Sequence, residues 1–512
     1  MNTFLCKHVG FLVPTNRACV NRRAIRAGGA HIAWMAMLIV LAGAGGAQAQ
    51  SNWINTTTSA AQAWGTAGNW SPSGVPSGAG VVVNFTANIG ASQTVTLGSA
   101  RTIGTLNLGL SGNANRYNFS NTANGLTFRA NAGDTLGTAT ININNNSDAN
   151  DGHAVQGTVN LQIANLVINN NSVDGRLNFQ RTFNDGDSDT SRSPTVTLNA
   201  VAGSNVLQFQ IQSGDTTSRN QWGKLVVNQN AIFRNSNPNA VSGTVDDRAL
   251  GTALTSYLAD AITLNGGVLQ GADGNLIYNV SANRGVTLGS LGGTLERSWS
   301  VDSIITGAGG LTKTGGGTTT FKAANTYAGQ TVITGGTLAL GPAGSIASSL
   351  GIFLSGTTTG LNLSAASGGG ITIGSGKGVG GLGTITGNLS LGSGAGLVLS
   401  SSALLARVPL SVTGTVSLPN AFGVASLFGT TGQPFDFSLI QDGTYPLINN
   451  GSSFANISNF GAGNAANIGG GRTAYFTEGS LNLIIVPEPA TGFAIATALA
   501  AVACWRRARR RT

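Results

Sequence analysis

The chain reads as an all-β protein: a right-handed parallel β-solenoid (β-helix) with an N-terminal signal peptide and a short C-terminal transmembrane helix. Three observations carry this expectation. Strand-length runs such as 94–97, 103–108, 139–143, 158–163, 195–198 and 207–211 alternate Val, Ile, Leu or Phe with Thr, Asn, Gln or Ser. That period of two marks strands with one buried and one wet face. Clusters of Gly, Asn and Asp punctuate the runs, and no window repeats with a helical period. Charged residues make up 9% of the chain and glycine 76 of 512 residues. Ordinary globular domains have roughly 25% charge and about half that glycine. Such a body is poor in helix formers and rich in turn and strand formers. Apolar residues at 41%, cleanly alternating, argue against disorder.

A sandwich, a barrel and a solenoid all use many short strands with polar outer faces. A body of more than 400 residues with no linker favours the solenoid, which lengthens coil by coil. Outward Asn, Thr and Ser then stack into polar ladders, and inward Val, Ile and Leu form one continuous core. With coils of ~20–25 residues rising ~4.8 Å each, the rod is expected to be on the order of 90–100 Å long.

Residues 1–49 form the signal peptide. Lys7, Arg17, Arg22, Arg23 and Arg26 make a basic start, residues 32–44 are apolar, and Ala47-Gln48-Ala49 is a small-x-small cleavage site. Arg22-Arg23 lacks the bulky apolar pair of a twin-arginine signal, so ordinary export through the general secretory route is expected. Residues 50–434 form the solenoid, 435–485 a closing β segment, and 486–512 the C-terminal tail. In the tail Pro487-Glu488-Pro489 fixes an extended start. Residues 491–504 are uncharged, and Trp505 precedes Arg506, Arg507, Arg509, Arg510 and Arg511, placed to stop transfer by the positive-inside rule. The apolar run is near the short end of the roughly 17–25 residues that span a bilayer.

Export alters the reading of charge. Of 27 Lys and Arg, five lie in the signal and five in the tail, leaving 27 − 10 = 17. Of 18 Asp and Glu, only Glu488 lies outside 50–486, leaving 18 − 1 = 17, so the body is neutral. No electrostatic footprint for nucleic acid remains. Cys6, Cys19 and Cys504 lie in the terminal segments, so the body has neither a disulfide nor a thiolate metal site. His153 is the one body histidine and, flanked by Asn, Asp and Gly, is expected on a surface loop. That inventory leaves little for a histidine triad or a zinc site.

The C-terminal order of Pro-Glu-Pro, apolar helix and arginine cluster resembles the PEP-CTERM sorting signal of Gram-negative envelope proteins. The resemblance implies recognition of Pro487, Glu488 and Pro489 by an exosortase-type membrane enzyme that removes the tail. An unprocessed tail anchor is the alternative. In the middle of the chain, Gly309-Gly310-Leu311-Thr312-Lys313-Thr314-Gly315 through Phe321, then Asn325-Thr326-Tyr327-Ala328-Gly329 and Gly335-Gly336-Thr337-Leu338, resembles the autotransporter-associated β-strand repeat of passenger domains. The repeat core is 305–340. Here Gly315 to Gly317 are expected to turn with positive φ, Leu311, Phe321, Val332 and Leu338 to point inward, and Asn325 and Tyr327 to shape a corner. Trp53, Trp64 and Trp70 look like the first coil of such proteins and are expected to cap its apolar end. A carbohydrate-stacking platform is the alternative for them.

Chemistry is sparse. Asp185, Asp187 and Asp189 alternate like the start of a calcium loop, but Thr190 and Val196 occupy the positions that need Gly and Glu. They are a weak candidate Ca²⁺ site, and no cofactor is expected. Polysaccharide-cleaving β-helices need carboxylates and bases gathered on one face. Asp246, Asp247 and Arg248 form one cluster, while Asp273, Glu296 and Asp302 are scattered. The expectation is a non-enzymatic, structural or adhesive protein of the envelope, cell surface or extracellular space, transiently anchored in the inner membrane. Its expected partners are the export machinery, an exosortase-type enzyme, and extracellular polysaccharide or neighbouring surface proteins.

Overall fold

Strand pairing in the body runs coil to coil, as period-two sequence with glycine corners dictates. The computed structural model describes residues 50–488, except 59, 111–114, 121–124, 132–136, 145–151, 174–175, 185–192, 204–206, 211–218, 237–242, 273–275, 451, 453, 455 and 478–480. Among these residues the protein is a stack of parallel sheets with few and short helices. One face is a sheet of eleven strands, from Gln50–Trp53 through Val82–Phe85 and Thr105–Leu108 to Ile305–Gly307. A second face has fifteen parallel strands, from Gln62–Ala63 to Leu427–Gly429. The third face begins as four strands between Arg101–Ile103 and Phe183–Asn184, and resumes with a longer sheet from Gly243–Val245. Each coil visits the faces in turn, so each strand pairs with the strand one coil earlier and one coil later.

Coil length departs from the expected ~20–25 residues. Along the first face the register partners are 19 to 37 residues apart (Thr287↔Thr306 and Asn228↔Asn265 are the extremes). On the second face Gly378 and Gly396 are 396 − 378 = 18 apart. Fifteen strands give fourteen steps, and at about 4.8 Å per step the stack is about 67 Å long rather than 90–100 Å. The extra residues lie in loops between strands, which lengthen a coil without adding height.

The core is continuous from end to end. Trp53, Trp64 and Trp70 close the N-terminal end, each 2% exposed or less. Their rings pack with centroids 4.9 and 5.0 Å apart. Every indole N–H is satisfied: Trp53 donates to Gln93 Oε1 at 2.7 Å, Trp64 to the Pro76 carbonyl at 3.0 Å, and Trp70 to the Trp64 carbonyl at 2.7 Å. Buried edges with N–H groups facing inward make these tryptophans a cap, and remove the carbohydrate platform as their role. Farther along, Phe179, Phe209 and Phe233 stack at 5.1 and 4.6 Å.

At the other end the pairing changes sense. Gly443–Asn449 pairs antiparallel with Leu481–Pro487, which pairs with Arg472–Thr477, which pairs with Ala466–Gly469. Phe476, Leu483 and Ile485 are fully buried under this antiparallel lid. Among the described residues no helix is long and apolar enough to cross a membrane. Residues 1–49 and 489–512, with Ala47, Ala49, Pro489 and the arginines 506–511, lie outside the described residues, as do Asp185, Asp187 and Asp189.

Candidate functional site

The first face carries the most regular surface of the protein. Its outward positions alternate with core residues such as Val83, Leu106, Ile141, Leu198 and Leu264, all fully buried. One outward column is asparagine on eight successive coils: Asn52, Asn84, Asn107, Asn142, Asn169, Asn199, Asn228 and Asn265. Asn84 donates its amide to the Asn52 oxygen at 2.7 Å, Asn107 to Asn84 at 2.6 Å, and Asn142 to Asn107 at 2.7 Å. Asn169, Asn199 and Asn228 continue at 2.8, 2.9 and 2.8 Å. From Asn52 to Asn228 the amides point the same way, so each oxygen from Asn52 to Asn199 accepts from the next coil and the dipoles align, while the Asn265 oxygen accepts the Leu291 N–H. Beside this ladder runs a β-branched column: Val82, Thr105, Thr140, Val167, Thr197, Val226, Thr263, Thr287 and Thr306. These two columns are uncharged and periodic at the coil rise; charge on this face appears beside them, where Lys224 pairs with Asp260 at 2.6 Å.

The repeat at 305–340 is built around polar groups turned inward. Lys313 follows Leu311 by two and points into the core, aligned with Leu295 and Ile333 on adjacent coils. Its ammonium donates to the carbonyls of Thr314 at 2.8 Å, Gly315 at 2.9 Å and Gly335 at 3.1 Å. All three protons are thus used. Burial lowers its pKa to about 8, opposed by Glu296. Gly315 and Gly317 turn with φ of 67° and 78°, which their lack of a Cβ allows. Lys313 thereby ties two glycine turns on consecutive coils together.

The corner residues are placed as the repeat implied. Asn325 accepts the Ile305 N–H at 2.8 Å and donates to Ala323 and Ser345 carbonyls, both at 3.1 Å. Tyr327, fully enclosed, shares a 2.6 Å hydrogen bond with Thr331, whose hydroxyl donates to Ser349 at 3.0 Å. One expectation fails here. Val332 points outward, and Thr331 and Ile333 point in, each 0% exposed. The buried hydroxyl of Thr331 is tolerated because Tyr327 and Ser349 satisfy it.

His153 also departs from expectation. It is fully buried in the strand His153–Val155, where its Nδ1 accepts the Tyr117 N–H at 3.0 Å. Its ring stacks on Tyr117 at 6.1 Å with a 12° interplanar angle. Burial lowers its pKa to about 4, and nearby Arg116 reinforces the shift. The sequence offered no sign of this, because the Asn, Asp and Gly residues before His153 favour a turn in any local reading.

The Asp246, Asp247 and Arg248 cluster divides. Asp246 caps the short turn Asp247–Leu250, and its carboxylate pairs with Arg248 at 2.7 Å. Asp247 turns inward to pair with Arg219 at 2.6 Å and with Arg284 at 3.1 Å. Burial alone would raise the Asp247 pKa. The Ser281 hydroxyl and Arg219 hydrogen bonds, with the charge of Arg284, outweigh burial and hold it below the ordinary value. Arg284 is 0% exposed and spends its other donors on the carbonyls of Leu250, Gly251 and Thr252. This carboxylate is an internal brace with its lone pairs occupied. Glu296 ends the strand Gly293–Glu296 and is hydrogen-bonded to Gln270, while Asp302 follows the strand Trp299–Val301 and pairs with Lys322. No group of three or more metal-ligating side chains gathers among the described residues.

Three comparisons place these features. Residues 311–340 match the family model of the passenger-associated transport repeat. The chain is similar to an adhesin of the autotransporter type, BmaC, from Brucella suis biovar 1, with 26% identity over 283 residues. That alignment covers 52% of this chain and 8% of the adhesin, so the chain spans a small part of that relative's length. No solved structure matches the chain. A parallel, coil-stacked β protein that carries a passenger repeat and resembles part of an autotransporter adhesin is what sequence and structure together establish.

Proposed function

We propose that this protein is an exported, non-enzymatic β-solenoid that works at the cell surface or outside the cell as a structural or adhesive rod. The observation that carries the reading is the passenger repeat at 311–340, set inside a fifteen-coil parallel stack whose outer columns are amide, hydroxyl and β-branched groups. The name of the Brucella relative, an adhesin, supports it. A neutral rod lacks the charge that would draw it to nucleic acid. It offers instead many hydrogen-bonding groups along a long flat surface. Right-handed winding fits the chirality of parallel crossover connections.

The terminal segments complete the proposal. Residues 1–49 direct export, with cleavage after Ala49. The Pro487-Glu488-Pro489 motif, the apolar stretch 491–504 and the arginines 506–511 hold the chain briefly in the inner membrane for an exosortase-type enzyme. The start of this motif lies against the lid: Pro487 is in register with Arg472, and the Glu488 N–H donates to the Gly471 carbonyl at 2.8 Å. The folded body therefore continues right up to the motif. Intact mass of the protein from the native envelope and medium tests the scheme. Loss of 1–49 and of the residues after the Pro-Glu-Pro motif is the expected result. A mass that retains residues 506–511 overturns processing and leaves a tail-anchored protein.

A further inference from the structure

The outer side of the second face holds a groove that the repeat itself does not explain. Two cavities, of about 360 and 240 Å³, open there and meet at Gln330. The groove runs along the stack, crossing the coils at Gly292, Gly310, Gln330, Gly351 and Gly378. Four coil steps at about 4.8 Å make it about 19 Å long. The glycines have a packing reason of their own: a Cβ on Gly292 would lie 2.5 Å from the Gly310 oxygen, and one on Gly310 2.6 Å from the Gln330 oxygen. Recognition chemistry therefore comes from the side chains that line the groove.

Those side chains are uncharged. Thr294 and Thr312 are in register on one wall, and Thr430 and Thr431 stand at the far end beside Phe428. Leu291 and Leu350, 56% and 51% exposed, form apolar lips. Gln330, where the two cavities meet, makes no side-chain hydrogen bond among the described residues, so its amide can serve a ligand. Lys377, next in sequence to the lining Gly376 and Gly378, is engaged by the Ala347 carbonyl. The floor backbone is already paired between coils, as in Gly293 N–H to Gly310 O at 3.0 Å and Leu311 N–H to Gln330 O at 2.9 Å.

We propose that this groove binds an extended, uncharged polysaccharide laid along the solenoid axis; the assignment rests on the adhesive reading above. Three features select that ligand. The groove is long and shallow, which suits a polymer better than a compact small molecule. Its hydroxyl, amide and apolar groups match sugar hydroxyls and C–H faces, and it offers no cation to an acidic chain. A peptide strand would need an unpaired sheet edge, and this floor has none to give.

The test is calorimetry on the full-length exported protein with neutral gluco-, manno- and galacto-hexasaccharides, and with hexagalacturonate as the acidic probe. Gln330→Ala removes the free amide, and Thr312→Trp fills the groove from an outward position. Thr197→Trp, on the first face, is the control. We expect at least one neutral hexasaccharide to bind, with about tenfold weaker affinity in Gln330→Ala and loss in Thr312→Trp. The control should bind as wild type, and all three variants should melt normally. Equal binding by Thr312→Trp, or binding of hexagalacturonate alone, overturns the assignment. If the wild type adheres to extracellular matrix but binds no neutral hexasaccharide, the groove assignment falls and the adhesive reading stands. If it does neither, both fall.

Discussion

Lowering the pH should loosen the N-terminal coils through His153. In the unfolded chain its imidazole has the ordinary pKa of about 6.5, whereas in the folded protein the pKa is about 4, chiefly because it is buried. A base with a depressed folded pKa favours folding at high pH. Its contribution is complete above 6.5, falls as pH drops below that value, and levels off below 4. At 1.36 kcal/mol per unit, the drop from 6.5 to about 4 costs about 3 kcal/mol. Protonation also removes the Nδ1 lone pair that accepts the Tyr117 N–H. It places a cation near Arg116, which lowers the pKa further in the same direction. Because a coil contacts only its neighbours, the loss should be felt first in the coils around Tyr117 and Leu177, which flank His153 in the second sheet. The assay is guanidinium unfolding of wild type and His153→Phe at pH 7.5, 6.5, 5.5 and 4.5. Amide exchange at Tyr117 is measured in parallel. His153→Phe leaves the Tyr117 N–H unpaired at every pH, so its curve is lower but lacks the histidine slope. The difference between the two curves should shrink by about 1.4 kcal/mol per pH unit below 6.5. Parallel curves would refute the argument, since carboxylate titration is common to both proteins.

Two buried cations give further predictions. Lys313→Met keeps the stem volume but strands three carbonyls, and should cost about 2–4 kcal/mol in urea unfolding with no change in circular dichroism at 25 °C; a cost below about 0.5 kcal/mol would mean that the turns find other donors. Arg284→Met should cost about 3–5 kcal/mol by leaving Asp247 buried with one cation fewer. Adding Asp247→Leu should then restore part of the loss, and a double variant weaker than the single would show that the carboxylate serves partners beyond Arg219, Arg284 and Ser281.

Alternation made most of the architecture legible, because burial on one face of a strand writes itself into every second residue. Val83, Phe85, Leu106 and Leu108 could be placed inward from sequence alone. The asparagine ladder was legible in kind but hidden in register: its members follow an apolar residue in Val83-Asn84, Leu106-Asn107, Ile141-Asn142, Leu198-Asn199 and Leu264-Asn265, yet loops of unequal length break any fixed period. Parity also held the clue to Lys313, two residues after inward Leu311; charge argued the other way, and only the neighbouring coil's Gly335 carbonyl resolves the conflict. Val332 went wrong for the converse reason. An apolar residue flanked by Thr331 and Ile333 was read inward, while a hydroxyl pair three-dimensionally close, Tyr327 and Ser349, made Thr331 the buried one. The groove left no trace in local pattern, since it arises from corners of five different coils.

If each coil is a unit that meets only its neighbours, one can be removed whole. Asn165 and Thr195 are register partners, 195 − 165 = 30 residues apart. Deleting 165–194 places Thr195 directly after Ala164, at the position Asn165 had held. Leu198 then enters the core column of Ile168, and Asn199 can donate to Asn142 in place of Asn169, so ladder and core both close over the gap. The aromatic column loses Phe179 and Phe183, and Phe209 must pack against the coil of Val155. The loss should be a fraction of the interface energy along the stack rather than collapse, because each remaining strand keeps two partners. Deleting 165–179 instead removes half a turn and brings strands to the wrong face, so every hydrophobic column is broken. Circular dichroism and urea unfolding of the two deletions decide the matter. A whole-coil deletion that folds with a single transition and lower stability, beside a half-coil deletion that does not fold, is the outcome a coil-by-coil structure requires. Equal tolerance of both would mean that register between coils is not what holds the chain together.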